Sequence, residues 1–176
     1  KILLEYPDVE LFERSQDFSG DNISTIDAVR EYLNTQEFRE DDLLLCIYPC
    51  TPMLTSELIT KIIDLYRPQV SPFALIGLSV DQRMARLLAM NNEGVSTLLL
   101  PEMVRAKTQE LPILYQDAGQ MYIGTVENWL QANEILSSRV QVLEVNPKEF
   151  IDIDSLKDWE LAEKIYLDRE IGRAHV

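Results

Sequence analysis

The sequence predicts an α/β protein, a mostly parallel sheet with helices on both faces. Three observations carry this. Continuous apolar runs, such as Leu43 to Tyr48 and Phe73 to Val80, suit strands buried on both faces. Amphipathic stripes preceded by cap residues alternate with those runs. Strand and helix signals that alternate along a chain favour parallel pairing through crossover connections.

In chain order, Val9 to Phe12 reads as a short strand, and the stretch Arg14 to Thr25 is polar, with Gly20-Asp21-Asn22 as turn chemistry. Ser24 or Asn22 caps a helix running to about Leu33, with Ile26, Val29, Tyr32 and Leu33 on one face. The strand Leu43 to Tyr48 is broken by Tyr48-Pro49-Cys50-Thr51-Pro52. Thr55 or Ser56 opens the next helix, whose stripe is Leu58, Ile59, Ile62, Ile63 and Tyr66, and Pro68 stops it. After the strand Phe73 to Val80, Arg83 to Met90 fits helix or strand, Asn91 to Gly94 is a turn, and Val95 to Leu100 favours a strand. Pro101 to Pro112 reads as a polar loop. Tyr115 to Gly124 reads as a loop with a short strand at Met121 to Ile123. Val126 to Leu136 is helical, Val140 to Val145 a strand, and Ile151 to Asp154 extended. Ser155 to Leu167 is a helix with Ser155 and Asp158 as its capping box.

The length of 176 residues matches one domain by the prior of roughly 100–200 residues each. Sixteen basic against 30 acidic side chains leave a net charge of −14. Such a chain repels phosphate polymers and anionic membrane surfaces, so neither nucleic acid nor membrane is expected as a partner. A small anionic ligand remains compatible, because a metal ion or a few local cations can reverse the field in a cleft. Cys46 and Cys50 have neither zinc nor disulfide spacing and read as reduced thiols of a cytoplasmic protein. The single histidine is His175, next to the end, which excludes Ser-His-Asp and Cys-His catalysis. Residues 171–176 resemble what a sequencing-adapter DNA would encode in one frame, and they are set aside as an artefactual tail.

Ligands of such folds gather at the carboxyl ends of strands, which directs attention to the irregular segments. In the extended Ile151-Asp152-Ile153-Asp154, residues i and i+2 share a face, so Asp152 and Asp154 can aim two carboxylates at one spot. Two hard oxygen donors suit Mg²⁺. The competing reading has Asp154 supporting the helix N-terminus and Asp152 in solvent. Tyr115 to Tyr122 sets Gln116, Asp117 and Gln120 beside two tyrosines, donors and acceptors suited to a polyhydroxylated ligand or to an ordinary polar loop. Tyr48 to Pro52 is either a stiffened binding turn or a structural one. Arg14, Ser24 and Thr25 flank a segment whose free backbone N–H groups could meet an acceptor-rich group, although Ser24 also fits plain capping. Arg86, Arg105 and Lys107 are scattered cations near the central loop.

Taken in this order, the segments resemble the acylneuraminate cytidylyltransferase family, which activates nine-carbon acidic sugars as CMP-sugars. Arg14 to Asp27 is similar to the family's segment after its third strand, Tyr48 to Leu54 to its Pro-Thr-Ser-Pro-Leu region, and Ile151 to Ser155 to its Asp-Ile-Asp-Thr motif. Cys46-Ile47-Tyr48, Thr108 to Pro112 and Asp117 to Tyr122 look most like the subgroup acting on pseudaminic acid. The resemblance runs from about Val9 to Tyr166.

It implies a three-layer αβα nucleotide-sugar transferase-like (Rossmann-like) fold over residues 1–170, usually as a homodimer. It also implies conversion of CTP and pseudaminic acid to CMP-sugar and pyrophosphate, for cell-surface or flagellar glycans. Asp152 and Asp154 would hold Mg²⁺, and Arg14, Ser24 and Thr25 the cytidine. Tyr48, Thr51, Gln116, Asp117, Gln120 and Tyr122 would line the sugar pocket, with Arg86 and Lys107 at the sugar carboxylate. The family's opening strand and basic, Gly-rich phosphate loop have no counterpart after Lys1, so the expectation is an enzyme whose first strand and loop precede this stretch, and a fragment inactive by itself. The alternatives are a CMP-N-acetylneuraminate or CMP-legionaminate synthetase, or a non-catalytic nucleotide-sugar-binding domain.

Overall fold

The computed structural model describes residues 6, 8–20, 22–136, 139–146, 150–151, 153 and 155–174. Its elements are α1 (Thr25–Leu33), β1 (Leu43–Ile47), α2 (Ser56–Leu65), β2 (Phe73–Val80), β3 (Leu88–Met90), β4 (Ser96–Leu98), β5 (Leu114–Thr125), α3 (Val126–Gln131), β6 (Val140–Val145) and α4 (Leu156–Ala174). The class is α/β and Rossmann-like: a central sheet that contains parallel pairing, with flanking helices. Four strands lie in the order β1-β5-β2-β6, while β3 and β4 form a separate two-stranded sheet.

The direction of β5 follows from two backbone bonds. The Tyr48 N–H donates to the Gln120 carbonyl at 2.9 Å, and the Val126 N–H to the Asp42 carbonyl at 2.9 Å. Partners on β5 descend from 126 to 120 as β1 ascends from 42 to 48, so the two strands are antiparallel. β1 sits at the end of the sheet order. Among the described residues it has one strand neighbour; it is half-buried, and Leu43 and Ile47 are exposed, unlike the doubly buried strand its apolar run predicts. β2 has neighbours on both sides, and its first five residues are buried.

The chain divides into two compact units. The first comprises Lys1–Cys46, Tyr66–Ala74 and Tyr122–Gln141. Its centre is Trp129, fully buried, whose indole N–H donates to the Leu44 carbonyl at 3.2 Å and whose ring meets Phe73 edge-on at 4.9 Å. Fully burying a ring of this size contributes upwards of about 1.5–3 kcal/mol. Gly124 permits this packing, since a Cβ there would lie 2.7 Å from the Phe73 ring. Ser24 caps α1 by accepting from the Asp27 N–H, and Ile26 and Leu33 bury its inner face. Arg30 on α1 donates to the carbonyls of Trp129, Leu130 and Ala132. This takes up the C-terminal carbonyls of α3, which ends at Gln131, five residues short of the expected Leu136, where Ala132 turns extended. The Tyr66 hydroxyl donates to the Pro72 carbonyl at 2.9 Å and accepts from the Thr125 N–H and the Asn128 side chain. Val9 to Phe12 forms no strand. The segment is exposed and held by side chains, Phe12 edge-on against Tyr32 at 5.4 Å and Ser15 through its N–H to Glu31.

The second unit comprises Ile47–Leu65, Leu75–Met121 and Val142–Val176. Met53, Ile62, Leu75, Ile76, Met121 and Ala162 are among its buried residues. Thr55 caps α2 by accepting from the Leu58 N–H. The ambiguous Arg83 to Met90 resolves into a 3-10 turn, Gln82–Arg86, followed by β3. β3 pairs antiparallel with β4, Leu88 opposite Leu98, across a turn in which the Asn91 side chain accepts from the Glu93 and Val95 N–H groups and Gly94 has φ +79°. The expected capping box of α4 forms between Ser155 and Asp158. With no proline to break it, the helix runs past Leu167 to Ala174.

Candidate functional site

Of the sequence-predicted residues of the second unit, Tyr48, Thr51 and Gln120 come together where β1 ends. The Thr51 hydroxyl donates to the Tyr48 carbonyl at 3.0 Å, and the Leu54 N–H to the Thr51 carbonyl at 3.1 Å, so this proline-bounded turn is closed by its own threonine. Tyr48 is held to β5 through the Gln120 carbonyl. The Gln120 side chain is 1% exposed, and its Nε2 donates to the Ile151 carbonyl at 3.0 Å. Tyr48, Thr51, Gln120 and Ile151 thus form one connected group.

Gln120 is an uneven bargain for stability. Its Oε1 is buried and has no hydrogen-bond partner among the described residues. A buried acceptor left unsatisfied costs about 1–3 kcal/mol, against about 0.5–1.5 kcal/mol from the one bond it makes.

β5 is a single twelve-residue strand rather than a loop with a short strand. The polar Gln116-Asp117-Ala118-Gly119-Gln120 run hides it from periodicity, yet cross-strand pairing holds it. Gly119 interrupts the regular pleat with φ +64°, a left-handed backbone that glycine adopts without Cβ strain. Its N–H donates to Asp117 Oδ1 at 3.0 Å. Gln116 is exposed and Asp117 half-buried. The neighbouring Tyr115 hydroxyl donates to Glu144 at 3.1 Å, and that bond pushes the phenol pKa above its ordinary value. Tyr122 is 5% exposed and lies in the core of the first unit.

A second cluster forms around the 3-10 turn after β2. Arg86 Nη2 donates to the Ala106 carbonyl at 2.5 Å, which ties Arg86 to the residue preceding Lys107. The Lys107 N–H donates to Glu110 at 3.0 Å. Both side chains are exposed. At the start of the same turn, hydrogen bonds from Arg83 bring the Asp81 carboxyl pKa down to about 2.

In the first unit, Ser24 acts as the N-cap of α1, and its hydroxyl also donates to Asp27 Oδ2 at 2.7 Å. Thr25 is half-buried at the first turn, and Arg14 is exposed.

Asp152 and Asp154 lie outside the described residues. Among the described residues, no cluster of three or more His, Cys, Asp or Glu side chains could hold a metal. Ile153, between Asp152 and Asp154 in the chain, lines a cavity of about 250 Å³ together with Pro52, Trp159, Ala162, Glu163 and Tyr166. The sequence reading did not single out this cavity. Its signal was there: Trp159, Ala162, Glu163 and Tyr166 are spaced i, i+3, i+4, i+7, one face of a helix. Likewise, the bond from Gln120 to Ile151 spans 31 positions and no local pattern announces it.

The fold and this site define an α/β, Rossmann-like protein with its polar residues at a strand's carboxyl end, the position such folds use for ligands. No family model matches the chain. It is similar to two proteins named pseudaminic acid cytidylyltransferase from Campylobacter jejuni subsp. jejuni. One, from serotype O:23/36, is 24% identical over 169 residues, covering 94% of this chain and 72% of the relative. The other, from serotype O:2, is 23% identical over the same shares. A Helicobacter pylori protein named pseudaminic acid cytidylyltransferase and UDP-2,4-diacetamido-2,4,6-trideoxy-beta-L-altropyranose hydrolase is 22% identical over 85% of this chain and 29% of its own length. The chain has a CMP-nonulosonic acid synthetase-like relationship to these proteins, as its motifs predict. Among the described residues, no helix is long and apolar enough to cross a membrane.

Proposed function

We propose that the protein is a cytidylyltransferase that converts CTP and pseudaminic acid to CMP-pseudaminic acid and pyrophosphate. The observation that carries this reading is the similarity to three relatives of that name, at 22–24% identity over 85–94% of the chain. The connected group of Tyr48, Thr51, Gln120 and Ile151 supports it, because it joins three of the motifs to one another.

In this reaction the anomeric hydroxyl oxygen of the sugar bonds to the α-phosphorus of CTP. The bond from that phosphorus to the bridging oxygen breaks, pyrophosphate leaves, and the hydroxyl proton is lost to solvent or a base. Asp152 and Asp154 are the proposed Mg²⁺ ligands, and the ion would neutralise charge on the phosphates. Tyr48, Gln116 and Asp117 are the proposed contacts to the sugar. Arg86 and Lys107 are the proposed contacts to its carboxylate, cations in a chain whose net charge is −14. The working form is proposed to be a homodimer. A two-stranded sheet is marginal alone, and Leu88 and Met90 of β3 and Val95 before β4 are exposed.

The test is pyrophosphate release from CTP by the full-length product of the gene, with Mg²⁺ and either pseudaminic, N-acetylneuraminic or legionaminic acid. Release with pseudaminic acid, abolished by Asp152→Asn or Asp154→Asn and by chelation of the metal, is the expected result. Release with another of these acids alone would reassign the substrate. No release from a folded protein with any of them would replace the enzyme by a nucleotide-sugar-binding domain.

A further inference from the structure

We infer that the cavity between α4 and the turn after β1 is a docking site for an arginine side chain presented by a basic partner polypeptide. The site is independent of the reaction proposed above.

The cavity, about 250 Å³, is lined by Pro52, Ile153, Trp159, Ala162, Glu163 and Tyr166, all of the second unit. Its helical wall is one face of α4, because these four helical residues are spaced i, i+3, i+4, i+7. Trp159 and Tyr166 are 57% and 48% exposed, while Ala162 between them is buried and offers only a methyl group. Among the described residues, neither ring meets another ring, and the Glu163 carboxylate makes no ion pair or hydrogen bond.

Two aromatic rings and one carboxylate around an otherwise apolar hollow complement a cation carried on an apolar stem. Ring faces attract a cation, and the carboxylate pairs with it. A guanidinium suits the place better than an ammonium: it is planar, weakly hydrated, stacks on rings and meets a carboxylate with two N–H groups. Its aliphatic stem can lie against Pro52, Ile153 and Ala162. A purely apolar occupant would cover Glu163 and leave its charge without water or a partner, which is costly. The net charge of −14 supplies the long-range attraction that brings a basic partner to this face.

The probe is a glycine pentapeptide with arginine at its centre, compared with versions carrying lysine or norleucine there. Each is titrated into the ¹⁵N-labelled full-length product of the gene, and nuclear magnetic resonance follows the α4 amides and the Trp159 indole. The expected result is saturable shifts centred on the cavity with the arginine peptide, weaker binding of the lysine peptide and none of the norleucine peptide. Glu163→Gln changes an exposed side chain and is expected to weaken arginine binding about tenfold. Trp159→Leu should weaken it several-fold. Equal binding of the norleucine peptide, or unchanged affinity in Glu163→Gln, would overturn the inference. Displacement of the arginine peptide by CTP would assign the cavity to the nucleotide and overturn it too, as would the absence of any shift in the folded protein.

Discussion

The guanidinium of Arg86 holds the carbonyl of Ala106 at 2.5 Å, across 20 residues of chain. The two cations proposed for the sugar carboxylate are thereby neighbours through the backbone, Arg86 pinning the turn from which Lys107 projects. Arg86→Ala removes a charge and frees that turn, whereas Lys107→Ala removes a charge only. The expected outcome is a rise in KM for the sugar acid with both, about tenfold or more with Arg86→Ala and several-fold with Lys107→Ala. Charge-assisted bonds are worth about 1.5–3 kcal/mol and exposed pairs less. Steady-state pyrophosphate release checks the order.

Tyr66 ties three backbone or side-chain groups of the first unit together through one hydroxyl. Tyr66→Phe keeps the ring and leaves the Thr125 N–H, buried, without its acceptor. The expected loss is about 1–3 kcal/mol. For a chain of this length that is a fall of roughly 2–4 °C in Tm for each kcal/mol. Urea unfolding at equilibrium measures it, with an unchanged m value if only the native state is affected.

Gly119 takes a left-handed backbone in the middle of β5. Gly119→Ala is expected to cost about 1–2 kcal/mol from the Cβ contact with the following carbonyl. Because Asp117 and Gln120 flank this position, catalytic rate should fall further than stability explains. Thermal unfolding and kcat measured on the same preparation separate the two effects.

The two cysteines differ in environment. Burial raises the pKa of the Cys46 thiol, while Cys50 is exposed in the turn after β1. A raised pKa leaves less thiolate at a given pH, and the thiolate is the nucleophile. With iodoacetamide at pH 8, Cys50 is expected to be alkylated first and Cys46 only slowly, the gap narrowing as pH rises. Peptide mass spectrometry over time reads both sites, and equal rates would contradict the difference in burial.

Much of the secondary structure and the relationship to CMP-sugar synthetases were legible in the sequence. The apolar runs at Leu43 and Phe73, the cap at Ser24 and the box at Ser155 depend on residues within a few positions of one another. Local sterics and hydrogen bonding decide such features wherever the segment lies. The resemblance was legible for a related reason, since each motif that carries it is a short string of neighbouring residues.

Tertiary structure alone decided the rest. Whether Val9 to Phe12 is a strand depends on a partner strand, and it has none among the described residues; the segment is held by Tyr32 and Glu31 instead. The polar run around Asp117 became strand because β1 and β2 flank it in the sheet. Its direction, the exposure of β1, the burial of Gln120 and Tyr122, and the hold of Gln120 on Ile151 all depend on residues tens of positions away. A sequence states which residues can pair, burial and pairing choose which do, and that choice minimises unpaired polar groups over the whole chain rather than within any one segment.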